Sequence, residues 1–234
     1  MEKPKLLFSN PGKIVYEADE LPCVSDALIE ALDWPAAVPG LGIMFRREAD
    51  AEYEVLQRNV SRKYDVRIIY RAQTAGLNAP ASAEGECGVE LAAAPGRAEL
   101  VELYVKTQEE FFYKPWAEYV PMAQLKGTRT FAEKNVLPEH AVCFEKNGKR
   151  VGLAALVKSK DWFGAPVDLL AWVWFDAGLS AGERAAAHQK LAAWLKKGAG
   201  GEIQCAVDSF NLRSQRFFRK LGFKPKCLLI NRNH

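Results

Sequence analysis

The stretch NLRSQRFFRKLGF, residues 211–223, decides how this chain is read. Phe217 and Leu221 stand four residues apart, the spacing of one helix face turned to a core. Asn211 occupies the place of an N-cap, whose side-chain oxygen accepts a hydrogen bond from a backbone N–H that the first turn leaves free. Gly222 occupies the place of a residue that ends a helix in the left-handed conformation. A capped helix is therefore expected, with the strand EIQCAVD (202–208) before it and KCLLINR (226–232) after it.

The pattern continues upstream. Ser180 and Glu183, in the order S-A-G-E, form a capping box that opens a helix whose inner face carries Ala187, Leu191, Trp194 and Leu195. VDLLAWVWFD (167–176) reads as a long strand, and its near-continuous apolar character predicts burial on both faces. Asn147-Gly148 between the apolar runs AVCFEK and KRVGLAALV is a strong hairpin signal. Earlier still, VELAA (89–93) is a short strand. From Gly96 to about Phe112 the residues Leu100, Leu103, Tyr104 and Phe111–Phe112 recur at helical spacing. The segment from there to residue 140 gives no clear element. A strand, crossover helix and strand succession near the end makes part of the sheet parallel. The fold class is α/β in the broad sense, a mixed α+β fold on a central mixed sheet.

At this point the sequence resembles the GNAT acyltransferases. That family commonly shows N-x-x-[AS]-x-x-[LF]-Y-x-x-x-G-F after its fifth strand. Here Asn211, Ser214, Phe217, Phe218, Gly222 and Phe223 stand at those spacings, after elements arriving in the family's order. The resemblance covers roughly residues 87–234. It implies transfer of an acetyl or other acyl group from acyl-CoA to an amine, on a small-molecule or peptide acceptor.

The resemblance also implies a site. The family cradles the donor pyrophosphate on backbone N–H groups where the helix after strand four begins, a general use of helix N-termini. Its signature there is [QR]-x-x-G-x-[GA]. Leu179 to Arg184 align with it: Gly182 matches, whereas Leu179 and Arg184 depart from it. Arg184 offers a side-chain contact to phosphate instead. An ordinary capped helix explains the same residues. Val173 and Phe175 on the preceding strand, with Asn211 and Ser214, complete the implied cofactor contacts. Asp168 falls near where some members carry an acidic residue that orders water toward the amine. Phe218 replaces the tyrosine that protonates the leaving thiolate in many members. Arg213, Arg216 and Lys220 share a helix face that is either solvated or within reach of the adenosine 3′-phosphate. Phe111, Phe112, Tyr113, Trp116 and Tyr119 lie where the family shapes its acceptor pocket, and suit an apolar or stackable acceptor. His188, on the apolar face of its helix, reads as a buried structural histidine, and His140 and His234 have no partner visible in sequence.

Two rival readings accompany this one. Leu179, Arg184 and Phe218 suit a catalytically weak GNAT-like binding or regulatory module. A transferase using an aminoacyl-tRNA or a carrier-protein thioester is the other.

Residues 1–86 lie outside the resemblance. KLLF and KIVYEA flank a turn at Asn10-Pro11-Gly12, and Ser25 caps a helix carrying Ala27, Leu28, Ala31 and Leu32. GIMFRR and DVRIIYRA are strands, and residues 49–63 form a polar-faced helix. Their order permits a second, eroded copy of the later fold. TAGLNAPASAEGEC, about 74–86, is the best linker, which divides the chain into an N-terminal extension (1–86) and an acyltransferase-like domain (87–234).

Composition bounds the rest. The 234 residues carry a net charge of +3, too weak to argue for a nucleic-acid partner. No apolar run approaches the ~18 residues of a membrane helix, so no membrane association is expected. The N-terminus lacks a signal-peptide core, and five scattered cysteines show no CxxC or Cys/His spacing. These features predict reduced thiols, no metal site and a cytoplasmic location.

Overall fold

The computed structural model describes residues 4–19, 25–46, 63–78, 88–161 and 164–232. In chain order the first elements are strands β1 (Lys5–Asn10) and β2 (Lys13–Ala18), helix α1 (Asp26–Ala31), and strands β3 (Gly40–Phe45) and β4 (Tyr64–Gln73). Next come β5 (Val89–Ala93), α2 (Arg97–Gln108), α3 (Leu125–Asn135), β6 (Ala141–Lys146), β7 (Lys149–Lys160) and β8 (Pro166–Phe175). Helix α4 (Ala181–Gly198), β9 (Glu202–Asp208), α5 (Leu212–Lys220) and β10 (Lys224–Arg232) complete the chain. The expected helix over residues 49–63 lies outside the described residues except for Lys63, which sits in a turn. Of the expected linker, Thr74–Gly76 forms a single 3₁₀ turn, and residues 79–86 are outside the described residues.

The chain forms two compact units, residues 1–72 with 205–234, and residues 73–204. This division differs from the one expected at residues 74–86, and the last strand shows why. β10 pairs antiparallel with β3 on one side and with β4 on the other, so the C-terminal segment completes the N-terminal sheet. No helix among the described residues is long and apolar enough to cross a membrane.

In the first unit β1 and β2 form an antiparallel hairpin. Its turn is held by Asn10, whose Oδ1 accepts from the N–H groups of Gly12 and Lys13 at 2.9 Å each. β2 runs parallel to β3, which makes the sheet mixed. Val15, Leu41, Ile43, Ile68, Tyr70, Leu228 and Ile230 are fully buried in it. Arg232 closes the end of β10: its guanidinium lies 3.6 Å above the Trp34 ring and donates to the Trp34 carbonyl at 2.7 Å.

Helix α5 begins as its sequence predicts, with Asn211 Oδ1 accepting from Ser214 N–H at 3.1 Å. It ends at Gly222, whose φ of 92° lets Phe223 N–H reach back to the Phe218 carbonyl at 3.0 Å. Its buried face is Gln215, Phe218 and Leu221. Phe217, expected in the core, is only half-buried, because the helix axis turns its neighbour inward instead.

Just before α5, Asp208 accepts from Arg67 Nε at 3.0 Å, and Arg67 also pairs with Asp65 at 3.1 Å. Burial pushes the Asp208 carboxyl up to about 6 despite the pull of Arg67. The folded state therefore binds this proton more tightly than the unfolded chain. Stability contributed by the group is full below about pH 4 and is lost as pH rises toward about 6, a change of roughly 2 kcal/mol. Asp208→Asn is expected to flatten that part of the stability profile in urea titrations repeated between those values.

In the second unit β5, β6, β7 and β8 are successive antiparallel neighbours, and β9 joins β8 in parallel through the α4 crossover. Asn147 and Gly148 take φ values of 51° and 72°, the paired left-handed residues of a tight hairpin turn. Leu100, Val101, Tyr104 and Val105 of α2, with Ala132 of α3, cover one sheet face over Cys143, Leu153, Ala155 and Val157. Helix α3 has no counterpart among the elements expected from sequence; LKGTRTFAEKN carries few apolar residues and an internal glycine, which lowers its helix propensity. Arg129 on α3 pairs with Glu102 on α2 through Nη1 and Nη2.

Strand β8 sets up the site. Ala155 stands opposite Trp172 and Leu156 opposite Leu170, so Ala171 is an extra residue and β8 is bulged there. β8 pairs in parallel with β9 at Asp168↔Ile203 and Leu169↔Gln204. The burial expected along the whole strand is met at Val167, Asp168 and Leu170, whereas Leu169 is half-buried. From Ala171 to Phe175 every residue is half-buried.

Candidate functional site

The second unit gathers four of the expected cofactor residues, Val173, Phe175, Gly182 and Arg184, around the end of β8 and the start of α4. The connection between these elements is tightly specified. Asp176 N–H donates to the Val151 carbonyl at 2.8 Å, and Asp176 Oδ1 accepts from Gly178 N–H at 2.7 Å. This turn delivers Ser180 as the N-cap of α4.

The capping box forms as the sequence predicts. Ser180 Oγ accepts from Glu183 N–H at 3.3 Å, and Glu183 Oε2 accepts from Ser180 N–H at 2.8 Å. Of the N–H groups a helix start leaves open, those of Ala181 and Gly182 have no protein acceptor among the described residues. A carboxylate in this first turn would repel a bound anion, but Lys146 of the hairpin reaches Glu183 Oε1 at 2.5 Å. The Lys146 hydrogen bond, followed by that from the Ser180 backbone, holds the Glu183 carboxyl below its ordinary range. The ion pair was not legible in the sequence, since it joins residues 37 positions apart through the β6–β7 hairpin.

Arg184 does not extend freely. Its Nη2 donates to the carbonyls of Ala177 at 3.2 Å and Leu179 at 2.8 Å, so it braces the loop before its own helix. Phe175 lies against His188 of α4, ring centroids 5.3 Å apart, and His188 is half-buried on that helix.

Asp168 lies six residues before Trp174, about 20 Å back along the strand. It is 4 % exposed. Its Oδ2 accepts from Gly200 N–H at 2.6 Å. Its Oδ1 faces the Lys158 ammonium at 2.6 Å without the alignment of a directed hydrogen bond. These contacts fasten the turn after α4 to β8.

The aromatic residues of the acceptor expectation follow α2 directly. The helix passes into a π-helical turn, Glu109–Tyr113, in which Lys114 N–H reaches the Glu109 carbonyl at 2.9 Å. This turn sets Phe111 against Trp174 and Phe112 against Trp172, with centroids 5.0 and 6.5 Å apart. Tyr113 is buried, its hydroxyl 2.6 Å from Thr128 Oγ1, and Trp116 packs on Tyr119. Trp172 and Trp174 are legible in the sequence only as strand residues, although their alternation with Val173 marks them as one face.

Asn211 and Ser214 belong to the other unit, where Asn211 caps α5 and Ser214 supplies the capped N–H. Phe218 is buried between Phe217 and Phe223. Arg213, Arg216 and Lys220 are exposed, as a solvated face requires.

No protein-family model matches the sequence, and no curated protein matches it. Solved structures do. A conserved protein of unknown function from Staphylococcus epidermidis is similar over 100% of this chain and 93% of its own, at 9% identity and a TM-score of 0.50. A GCN5-related N-acetyltransferase from Kribbella flavida is similar over 99% and 90%, at 15% identity and a TM-score of 0.46. The PaiA N-acetyltransferase of Thermoplasma acidophilum, solved with coenzyme A, is similar over 62% and 99%, at 13% identity and a TM-score of 0.43. The hairpin, long bulged strand, capped helix, parallel strand and Asn-capped helix seen here follow the order that the sequence resemblance implied. The fold is a mixed α+β fold like that of the Staphylococcus epidermidis protein.

Proposed function

We propose that the chain is an N-acyltransferase that moves an acetyl or other acyl group from acyl-CoA to an amine acceptor. The observation that carries this reading is the start of α4. Two backbone N–H groups stand without acceptors there, and the one acidic side chain in the turn is neutralised by Lys146. A pyrophosphate accepts from such groups and gains from the helix dipole. In the transfer the amine nitrogen attacks the thioester carbonyl, the C–S bond breaks, and the nitrogen loses a proton to water. The departing thiolate takes a proton from water. Asp168 acts in this reading as a positioning residue, holding the turn that ends α4.

A second reading, a binding module without turnover, is favoured by Arg184, whose guanidinium is engaged by loop carbonyls rather than open to phosphate. Thiol release from acetyl-CoA, followed over a panel of small amines and lysine peptides, separates the two. We expect release that depends on the amine, with the acylated amine detected by mass. Binding of acetyl-CoA without amine-dependent release across the panel would favour the module.

A further inference from the structure

Residues 209–234 hold seven of the chain's 32 lysines and arginines and none of its 29 aspartates and glutamates. They carry +7 and the rest of the chain −4, a segregation that the overall charge of +3 conceals. Helix α5 turns the cations outward. Arg213, Arg216, Arg219 and Lys220 are exposed, whereas Gln215, Phe218 and Leu221 are buried. At about 100° per residue, Arg213, Arg216 and Lys220 fall within about 60° of one another, opposite the buried side, and span about 10 Å of helix. Arg219 lies beside them. Asp65 and Asp208, before the helix, are already engaged by Arg67, and Arg213 and Lys220 form no ion pair among the described residues.

Helix stability does not account for this face. Arg219 and Lys220 suit the C-terminal end of the helix dipole, but Arg213 stands in the first turn, where a cation is disfavoured. Arg216 is three residues from Arg213 and Arg219 and four from Lys220, and each such like-charged pair weakens a helix. A polyanion laid on the face offsets both effects. The chemistry of the face also narrows the partner. The exposed large apolar side chains of the described residues, Leu6, Leu7, Leu91, Phe111 and Met122, all lie elsewhere. A protein partner or a lipid surface would call for apolar side chains beside the cations. Unstacked bases would call for an aromatic platform, and neither Phe217 nor Phe218 is exposed. A 2′-hydroxyl is recognised by groups that accept as well as donate, and these side chains only donate. The phosphates of a DNA duplex ask for none of these, and the arginine fork matches them.

We infer that the exposed face of α5 docks double-stranded DNA through its phosphates, without reading its sequence. This contact needs no acyl donor and is independent of the acyltransferase reading. Fluorescence anisotropy of a labelled DNA duplex, titrated with the full chain at several salt concentrations, tests it. We expect a dissociation constant of roughly 10 µM at about 100 mM salt, with log affinity falling against log salt at a slope of about −3.5. A duplex of unrelated sequence should bind equally. Arg213→Gln combined with Arg216→Gln should weaken binding at least about tenfold and halve the slope, without lowering the melting midpoint. Lys134→Gln combined with Lys149→Gln removes the same charge from exposed positions of the other unit and should leave binding unchanged. Absence of binding at about 50 mM salt, or equal loss in the two double variants, overturns the inference. Equal affinity for a glutamate-rich peptide of the same charge, or tighter binding of an RNA duplex, overturns DNA as the partner. A lowered midpoint in the arginine variant would make those side chains structural and overturn it as well.

Discussion

Gly152→Ala is expected to destabilise the protein by about 3 kcal/mol, lowering the melting midpoint by roughly 6–12 °C in calorimetry. Gly152 lies on β7 opposite Phe175. A β-carbon there would stand 2.8 Å from Phe175 Cδ1, 2.9 Å from the Trp174 carbonyl oxygen and 3.1 Å from Phe144 Cβ. The phenyl ring can turn away, but the carbonyl belongs to the sheet and Phe144 is fully buried. The strain must therefore move backbone at the end of β8. That end carries Val173 and Phe175, so the variant should also bind acyl-CoA more weakly than its residual folded fraction alone explains. An unchanged midpoint would mean that β7 and β8 do not pack at these distances.

Asp168→Ala is expected to cost about 2–3 kcal/mol. The substitution leaves a hole among buried side chains, removes the acceptor of Gly200 N–H and unpairs Lys158. Lys158 and Gly200 are themselves exposed and can be rehydrated, which keeps the cost below that of a fully buried pair. Asp168→Asn retains an oxygen for Gly200 and should recover about half of the loss. Turnover per folded molecule is expected to be the same in the Asn variant as in the parent. A large loss of turnover at full stability would instead give Asp168 a chemical role.

How much of the structure was legible in the sequence depended on the distance over which each feature is encoded. Local features were plain: the Asn10 and Asn147-Gly148 turns, the Ser25, Ser180 and Asn211 caps, and Gly222 all form as their neighbours predict. Features encoded by tertiary packing were hidden. The insertion of β10 between β3 and β4, which ties residues 205–234 to the N-terminal strands, has no local signature. The bulge at Ala171 is equally silent, because an extra residue in an apolar run leaves the run apolar. Near-continuous apolar character from Val167 to Phe175 therefore did not mean uniform burial. The candidate site was divided in the same way. Gly182 and the capping box could be read from spacing, whereas Lys146 and the bracing of the loop by Arg184 required the fold.

The central claim is that the start of α4 receives the polyphosphate of an acyl-CoA. Calorimetric titration of acetyl-CoA into the full chain, beside Gly182→Glu, tests it most directly. We expect saturable binding by the parent, with stabilisation of about 2.7 kcal/mol at a hundredfold excess over the dissociation constant. Gly182→Glu should place a carboxylate among the open N–H groups and abolish that binding while the protein stays folded. No heat and no thermal shift with acetyl-CoA, longer acyl-CoAs or free CoA at millimolar concentration would contradict the claim, as would equal binding by Gly182→Glu.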